Sequence, residues 1–479
     1  MTAGRETRKA LLAVALLTAL AGVLRFTNLG LQSLWVDEAL TAWVLDPNGL
    51  DMLSSLDREA TPPLYYTLAW LWTSVLGEGD VALRSLSALF GTATVPAAYL
   101  AGARLVNQRA GIIAAALVAA SPYLIWYLQE ARSYALAMLL ATLSLAFLAG
   151  ATQPVARRRE LVLWAVTCAL LVATHYFSAI LIAAEGLWLL RRRGFGRGTV
   201  AALAAPVASG LLLLPLALDQ DHATWIEALE RGGRLEETPR FFLAGYGTQP
   251  GSELVLAGGL LVIAGLALLF WRSRGDERRG ALLALGLAGV AVATALLLAT
   301  AGLDYVYHRN LLVLWIPLAI AVAAGFSAAR VPGLVAAAVL SGVFLVAHFG
   351  IVRDSDRHRT HWEAAIESLD RPAQPRPIAV APTYADTPLL HYGIPVQDRP
   401  EGSVRVRELV VIGELTDPGR VALGRRIGPF EVVSHRADHT VTTAILRAPT
   451  PQRVELGLIK RAQTLGAPNL NVLLDPGAR

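Results

Sequence analysis

The sequence has a single cysteine and few charged residues. Cys168 is the only thiol among 479 residues, so the chain can form no internal disulfide. Charged side chains make up 16% of the chain, whereas ordinary soluble domains carry roughly 25%. No repeat of roughly 20–50 residues is present, which argues against a repeat architecture. No His-Glu-x-x-His or Gly-x-Ser-x-Gly signature is found either, which disfavours a membrane protease.

Long apolar runs dominate what is present. Hydrophobic residues make up 54% of the chain, and most runs approach the ~20 residues with which a helix crosses a bilayer. We therefore predict a mostly α-helical, polytopic membrane protein with about eleven transmembrane helices and a small C-terminal extracytoplasmic α/β domain. The predicted spans are residues 8–25, 82–103, 109–127, 134–151, 161–178, 179–190, 199–218, 254–271, 280–301, 310–328 and 332–350.

Basic residues predict the orientation of these spans. Clusters such as Arg157–Arg159 and Arg191–Arg193 alternate with short loops that are poor in Lys and Arg, as the positive-inside rule expects. The long central outer loop departs from this rule, because it contains Arg231 and Arg234. We predict a protein of the cytoplasmic (inner) membrane with a cytoplasmic N-terminus and an extracytoplasmic C-terminal domain. The basic excess then follows from topology, and no nucleic-acid partner is predicted.

The N-terminus has a second interpretation. Arg5, Arg8 and Lys9, followed by an apolar stretch that ends in Ala19-Leu20-Ala21, also resemble a signal peptide with a cleavage site. The loop that carries the first acidic pair lies outside the membrane in either case.

The composition divides the chain into two predicted domains. Residues 1–350 form the membrane domain, and residues 351–479 are richer in charge and proline. The pattern predicts a helix over Trp362–Leu369, a buried strand at Leu409–Ile412, and an edge or hairpin strand over Thr440–Leu446. We find no catalytic motif in this second domain.

An acidic pair, Asp37-Glu38, follows the first predicted span. Ionised groups beside hydrocarbon are costly to desolvate unless something uses them, and carboxylates are common general bases. We therefore predict that Asp37 and Glu38 are catalytic. The structural alternative is that both acids begin an interfacial helix, because acids favour that end.

Further polar side chains are predicted at the same outer face. Arginine suits phosphate oxygens, and fixed positive charge stabilises negative charge that develops in a sheltered site. We predict a phosphate-binding site at Arg84, Arg132, His175 and Arg309, and an acceptor or sugar site at Tyr65, Tyr66, Tyr127 and Glu130. The arginines could instead anchor helices at the interface, and Tyr65 and Tyr66 could belong to the aromatic belt.

Several motifs occur in a familiar order. They are Trp35-Val-Asp37-Glu38, Thr61-Pro-Pro-Leu-Tyr-Tyr66, Leu83-Arg84 through Gly91, and Ser121-Pro122 followed by Gln129-Glu-Ala-Arg132-Ser-Tyr134. In this order the chain resembles the GT-C superfamily of integral-membrane glycosyltransferases. It is most similar to the branch with protein O-mannosyltransferases and the lipid A aminoarabinose transferase (glycosyltransferase family 39 and its bacterial relatives). The resemblance runs from residue 10 to about residue 330.

The resemblance implies an activity and residue roles. The donor is a polyprenyl-phosphate sugar, and transfer inverts the anomeric centre. Asp37 matches the first-loop acid taken as the base, and Glu38 matches its acidic neighbour. Arg84 matches an arginine important for activity, and Arg132 falls in the motif near the lipid phosphate.

The chain departs from the family pattern at two places. Thr61 stands where relatives usually have histidine, and Arg309-Asn310 stands where they often have Arg-Tyr.

Metal dependence stays open. His358 and His361 are three residues apart and could hold an ion, although such a pair in a charged linker is usually solvated.

We therefore predict an inverting glycosyltransferase that moves a sugar from a polyprenyl-phosphate donor to a hydroxyl of a protein, lipid or glycan at the outer membrane face. Its predicted partners are this donor, membrane lipid and an acceptor that the sequence does not identify. The alternative is a transporter or flippase of lipid-linked sugars. Transporters tend to show repeated halves and midplane charges, whereas the polar side chains of this chain are predicted at the outer face. A non-catalytic scaffold leaves the outer-face charges unused.

Overall fold

The structure is a computed structural model of the whole chain. It describes residues 2–45, 51–153, 155, 157–220, 226, 229–246, 253–370, 372, 374–381, 386–398, 402–414, 426–437, 440–456 and 471–476.

The chain divides into two compact units. The helical unit comprises Met1–Leu29 and Asn48–Arg353, and the sheet unit comprises Gly30–Pro47 and Asp354–Arg479. The sheet unit thus takes in a short segment near the N-terminus, which the composition had grouped with the membrane helices.

The described part of the helical unit is mostly helical. Its helices are α1 (Thr2–Phe26), α3 (Asp51–Ser54), α4 (Leu64–Leu76), α5 (Asp80–Leu105), α6 (Gln108–Ala120), α7 (Pro122–Tyr127), α8 (Tyr134–Ala151), α9 (Arg158–Val172), α10 (Ala179–Arg193), α11 (Arg197–Asp219), α12 (Arg231–Ala244), α13 (Glu253–Arg272), α14 (Gly275–Thr300), α15 (Trp315–Ala328) and α16 (Arg330–Arg353). Single 3-10 turns cover Ser55–Arg58, Tyr176–Ser178 and Leu312–Leu314.

Apolar helices confirm the predicted fold class of a mostly α-helical, polytopic membrane protein. Within the described residues, seven helices are long and apolar enough to cross a bilayer: α1, α5, α8, α11, α13, α14 and α16. Two shorter apolar helices, Gln108–Ala120 and Leu312–Ala328, accompany them. Helices α9 and α10 correspond to the fifth and sixth predicted spans, and each has 15 residues. The figure of eleven spans therefore stays a prediction.

One predicted span is interrupted where the chain has a cap and a proline. Residues 109–127 form two helices because Ser121 ends α6 and begins α7. Its side chain accepts a hydrogen bond from the Leu124 N–H, and Pro122 occupies the first turn of α7. Proline is well placed at a helix start, where its missing N–H is not needed. The break turns the next residues into the tight segment 128–133, which carries Glu130 and Arg132.

Glycines allow close helix contacts in the bundle. A Cβ on Gly325 of α15 would lie 1.8 Å from the carbonyl oxygen of Gly265 on α13. A Cβ on Gly102 of α5 would lie 2.9 Å from Cα of Gly111 on α6. Close backbone approach at small residues is typical of helix pairs in membranes, where burial from water drives little association.

The sheet unit contains a seven-stranded mixed sheet. Its strands are β1 (Arg376–Ala381), β2 (Gln397–Asp398), β3 (Ser403–Glu414), β4 (Arg426–Ile427), β5 (Phe430–Ala437), β6 (Val441–Glu455) and β7 (Asn471–Asp475). Their order is β2-β7-β1-β3-β6-β5-β4, in which β1 and β3 are parallel and the other pairs antiparallel. Strand β6 pairs with both β3 and β5, so the segment predicted as an edge or hairpin strand is a hairpin partner inside the sheet.

Both faces of this sheet bury apolar side chains. Val410 and Ile412 face helix α17 (Trp362–Glu367) and helix α18 (Asp386–His391) in one core cluster. Leu409 and Val411 join Phe430 of β5 in the other. The alternation follows from the two-residue period of a strand.

Residues 30–45 contribute to the first of these cores through Val36. They include helix α2 (Val36–Leu45), and Val36 packs with Trp362. Backbone contacts precede the helix: the Leu34 N–H donates to the Tyr392 hydroxyl at 2.7 Å, and the Arg359 N–H donates to Gln32 Oε1 at 2.8 Å. These contacts hold the segment within the sheet unit.

We predict that Gly325→Ala destabilises the protein. The added methyl group must push α13 and α15 apart, which typically costs about 1–3 kcal/mol and outweighs the ~1 kcal/mol gain in helix propensity. Gly289→Ala on α14 is the control, because a Cβ there meets no atom within 4 Å. The thermal unfolding midpoint of the purified protein in detergent should fall for Gly325→Ala alone. An unchanged midpoint for that variant contradicts the close contact.

Candidate active site

A buried ion pair joins the end of the 3-10 turn after α3 to the tight segment between α7 and α8. Arg132 Nη1 donates to Glu59 Oε1 at 2.5 Å, and both side chains are almost fully buried. Arg132 Cζ also lies 6.0 Å from the ring centroid of Tyr66. The Glu59 carboxylate fixes the orientation of the Arg132 guanidinium. This planar group presents several N–H donors to an anion.

Two tyrosines at the start of α4 contact the surroundings of this pair. Tyr65 and Tyr66 are fully buried. The Tyr66 and Thr61 hydroxyls lie 2.8 Å apart, and the Tyr65 hydroxyl lies 2.9 Å from Ser87 Oγ. Ser87 Oγ donates to the backbone carbonyl of Arg132 at 3.4 Å. The two phenols thus help to position the arginine segment.

Aromatic and imidazole rings connect α7, α8 and the segment after α9. The Tyr127 and Tyr134 centroids are 5.5 Å apart, and those of Tyr134 and His175 are 5.8 Å apart. The Tyr127 hydroxyl lies 3.3 Å from Nδ1 of His308, which follows α14. Residues distant in sequence therefore line one continuous cluster.

The two histidines of this cluster are buried, and one ring nitrogen of each makes no hydrogen bond within the described residues. Within the described part of the chain, neither His175 Nδ1 nor His308 Nε2 has a hydrogen-bond partner. Burial, and then the nearby Arg309, lowers the pKa of His308 to about 3, so its imidazole is neutral near pH 7. His175 lies within electrostatic range of both Arg132 and Arg309. The cluster thus presents positive charge from arginine and a neutral hydrogen-bonding imidazole.

A second buried ion pair holds the loop that carries His308 and Arg309. Asp304 Oδ2 accepts from Arg234 Nη2 at 2.8 Å and from Arg231 Nε at 2.8 Å. The hydrogen bond from Arg234 is the main cause that lowers the pKa of Asp304 to about 2, against the opposing effect of burial. The stabilisation from this carboxylate is therefore present above about pH 4 and is lost as pH falls through about 2.

The remaining predicted residues of the helical unit have mixed environments. Arg84 is buried, and its Nη1 donates to the Leu29 carbonyl at 2.8 Å. Glu130 is buried within electrostatic range of Tyr127. Arg309 is partly exposed. Glu130 and Arg309 belong to one cluster with other residues, whereas the contact shown for Arg84 is with Leu29. The cluster consists of Tyr65, Tyr66, Ser87, Tyr127, Glu130, Arg132, His175, His308 and Arg309.

The predicted catalytic acids lie in the sheet unit, in the first turn of α2. Asp37 is half-buried, whereas Glu38 is fully buried. Glu38 Oε2 lies 3.2 Å from Arg359 Nη1, and Arg359 Cζ lies 5.3 Å from the ring centroid of Trp35. The two neighbours therefore differ: Glu38 is committed to a buried ion pair, and Asp37 is the more accessible carboxylate.

The sequence-based site omitted several residues that contact or support the predicted ones within each unit. Pairing partners were missed because they are far apart in sequence, although Glu59 lies two residues before the Thr61-Pro-Pro motif and Asp304 shares a polar segment with Arg309. The omitted residues are Glu59, Ser87, Arg234, Asp304, His308 and Arg359. In the described ranges, no group of three or more His, Cys, Asp or Glu side chains is arranged to hold a metal ion.

A family model matches the part of the sequence that contains most residues of the cluster. Residues 60–218 match the model described as dolichyl-phosphate-mannose-protein mannosyltransferase. The match includes Arg84, Arg132 and His175, whereas Asp37 and Arg309 lie outside it. No curated protein matches the sequence significantly.

Solved structures share the fold. The crystal structure of ArnT from Cupriavidus metallidurans bound to undecaprenyl phosphate is 15% identical, with a TM-score of 0.52 over 90% of this chain and 97% of that one. Its apo state gives a TM-score of 0.53 over the same shares. The arabinofuranosyltransferase AftD from Mycobacteria is 18% identical, with a TM-score of 0.51 over 92% of this chain and 40% of AftD.

The chain therefore shares the overall fold of ArnT and AftD. The predicted resemblance to the GT-C superfamily is confirmed, and the matches agree with its mannosyltransferase and ArnT-like branch.

We predict that Glu38 and Arg359 are strongly coupled. Removing one member leaves the other buried without its counter-charge. The losses of unfolding free energy of Glu38→Gln and Arg359→Gln should therefore sum to more than the loss of the double variant. We expect a coupling free energy of about 1–3 kcal/mol. Thermal unfolding of the four proteins measures it.

Arg357→Gln is the matched control for this cycle. Arg357 pairs with Asp354 at 2.9 Å, but both side chains are partly exposed, so its loss should cost at most about 1 kcal/mol. Additive effects of the Glu38 and Arg359 substitutions contradict the pairing.

Proposed function

We propose that this protein is an inverting glycosyltransferase that moves a sugar from a polyprenyl-phosphate donor to a hydroxyl acceptor. The observation that carries the proposal is the buried cluster around Arg132, in which arginines and neutral histidines from separate inter-helix segments converge. Arg132, oriented by Glu59, and Arg309 bring two guanidinium groups to the cluster, and guanidinium groups suit phosphate oxygens. A phosphate ester that leaves with its negative charge is an anion of the required kind.

The chemistry proposed is a single displacement. Asp37 takes the proton of the acceptor hydroxyl, and the oxygen attacks the anomeric carbon. The bond between that carbon and the phosphate oxygen breaks, so the configuration inverts and polyprenyl phosphate leaves. Arg132 and Arg309 stabilise the charge on the departing phosphate, which needs neutralisation more than protonation.

Residue environments assign finer roles in this proposal. Asp37 is preferred over Glu38 as the base because Glu38 is paired with Arg359, and Glu38 then positions the first turn of α2. Arg84 supports the chain at Leu29 in addition to any contact with the donor. The rings of Tyr65, Tyr66 and Tyr127, with Glu130, would form the sugar or acceptor side.

The nature of the donor is supported by the comparisons. ArnT, which shares the fold, is described with bound undecaprenyl phosphate, and the family model names dolichyl-phosphate mannose. Both are polyprenyl phosphates, so we propose a donor of this class with the sugar and acceptor unspecified. We further propose that the site faces the extracytoplasmic side of the inner membrane, because the arginine-rich turns lie at the other helix ends.

We predict that Asp37→Asn abolishes most turnover. The amide keeps the size of the side chain but cannot take a proton, so release of polyprenyl phosphate should slow by about 10²–10⁴-fold, with little change in donor affinity. The assay incubates purified protein with undecaprenyl-phosphate sugars and a cell-envelope extract, and measures the released lipid phosphate. Asp57→Asn, at an exposed acid in the same stretch of chain, is the control.

Two results would contradict the proposal at different levels. A near-normal rate for Asp37→Asn shows that another group is the base. No release by the wild-type protein across the donors and acceptors, together with translocation of the lipid-linked sugar in proteoliposomes, would overturn the transferase itself.

A further inference from the structure

A cavity of about 930 Å³ lies among the ends of α5, α8 and α10 and the beginning of α14. It is remote from the candidate active site. Arg84 and Arg104 mark opposite ends of α5, and 20 residues of helix span roughly 30 Å. Arg104 lines the cavity, so the cavity lies at the end of the helical bundle opposite Arg84. The proposed transferase chemistry makes no use of it.

The wall of the cavity has a polar part and an apolar part. Arg104, Arg191, Arg192 and Arg279 contribute positive charge, and Asp276 contributes one negative charge. The apolar part comes from Leu105, Leu187, Leu282, Leu283, Leu287 and Val290. A lining of this kind matches an amphiphile with an anionic head and hydrocarbon chains.

Two of these arginines are not neutralised by the protein. Arg104 pairs with Glu160 at 2.8 Å, and Arg279 pairs with Asp276 at 3.0 Å. Among the described residues, Arg191 and Arg192 have no carboxylate partner, and both are exposed at the end of α10. Charge complementarity at this place therefore calls for an anion from outside the chain.

A tryptophan marks the depth of the cavity in the bilayer. Arg192 Cζ lies 5.8 Å from the ring of Trp188, whose buried indole Nε1 has no hydrogen-bond partner among the described residues. Tryptophan is enriched where headgroups meet hydrocarbon. The neighbouring Leu187 and Val290 are exposed and lie at the same cavity, as expected where acyl chains run along the protein.

We propose that this cavity binds an anionic phospholipid, with its phosphate on Arg191 and Arg192 and its acyl chains along Leu187 and Val290. Basic pockets between transmembrane helices bind anionic headgroups in this way. The occupant is a membrane phospholipid and not the polyprenyl-phosphate donor, because the cavity lies at the helix ends opposite Arg84. This proposal is independent of the transferase activity.

The test measures lipid binding to purified, delipidated full-length protein by native mass spectrometry. Phosphatidylglycerol should bind at least about tenfold more tightly than phosphatidylcholine with the same chains. Arg191→Gln/Arg192→Gln should weaken phosphatidylglycerol binding by roughly 10- to 30-fold. Arg272→Gln/Arg274→Gln, which removes two exposed arginines outside the cavity, should leave it unchanged.

A second pair of variants keeps every charge. Gly286 lines the cavity, and a Cβ there meets no atom within 4 Å, so Gly286→Phe should fill the space and displace the lipid. Gly289→Phe is the control, since Gly289 is equally open on the same helix but does not line the cavity. This pair decides the question if the arginine variant fails to fold.

Three outcomes would overturn the proposal. They are equal binding of the two lipids, full phosphatidylglycerol binding by Gly286→Phe, and displacement of phosphatidylglycerol by equimolar inorganic phosphate. The last would identify the ligand as a free anion.

Discussion

The buried ion pair between Arg132 and Glu59 is the interaction on which the candidate active site depends. A single buried charge would be expelled or neutralised, whereas a pair with good geometry can remain. Glu59 therefore keeps Arg132 charged and oriented among α4, α5 and the tight segment before α8. The surrounding phenols and imidazoles add hydrogen-bonding groups without adding charge.

The same constraint orders two other parts of the chain. Asp304 with Arg234 holds the loop that presents His308 and Arg309, and Glu38 with Arg359 holds the first turn of α2 beside Asp37. In each case a buried pair places a neighbouring residue that is proposed to act on substrate. Stability and function are thus linked through charges that must be paired before the site can exist.

The fold class and the order of motifs could be predicted from sequence because they follow local rules. Apolar run length indicates membrane helices, and period-two alternation indicates strands such as β3. Arg132 and His175 could be chosen because charged or polar groups beside apolar helices are costly.

Pairings between distant residues could not be predicted in the same way. Arg132 and Glu59 are 73 residues apart, and Arg359 pairs with Glu38 across most of the chain. No periodicity encodes such contacts. The break at Ser121-Pro122 was missed because the apolar run continues through it, although the cap and the proline were visible. The inclusion of residues 30–47 in the sheet unit depends on tertiary contacts of Val36, Leu34 and Gln32.

The most direct test of the account is the catalytic effect of the charge at Arg132. Release of polyprenyl phosphate is measured for the wild type, Arg132→Lys, Arg132→Gln and the double variant Arg132→Gln/Glu59→Gln. The double variant removes both members of the buried pair and serves as the folding control, because no lone charge remains.

We expect the thermal midpoint of the double variant to stay near that of the wild type while its turnover is severely reduced. Arg132→Lys keeps the charge but loses the planar geometry, so its loss should be intermediate. The effect should fall on kcat more than on KM if the guanidinium acts on charge that develops as the phosphate leaves. A folded double variant with wild-type kcat would contradict the central claim.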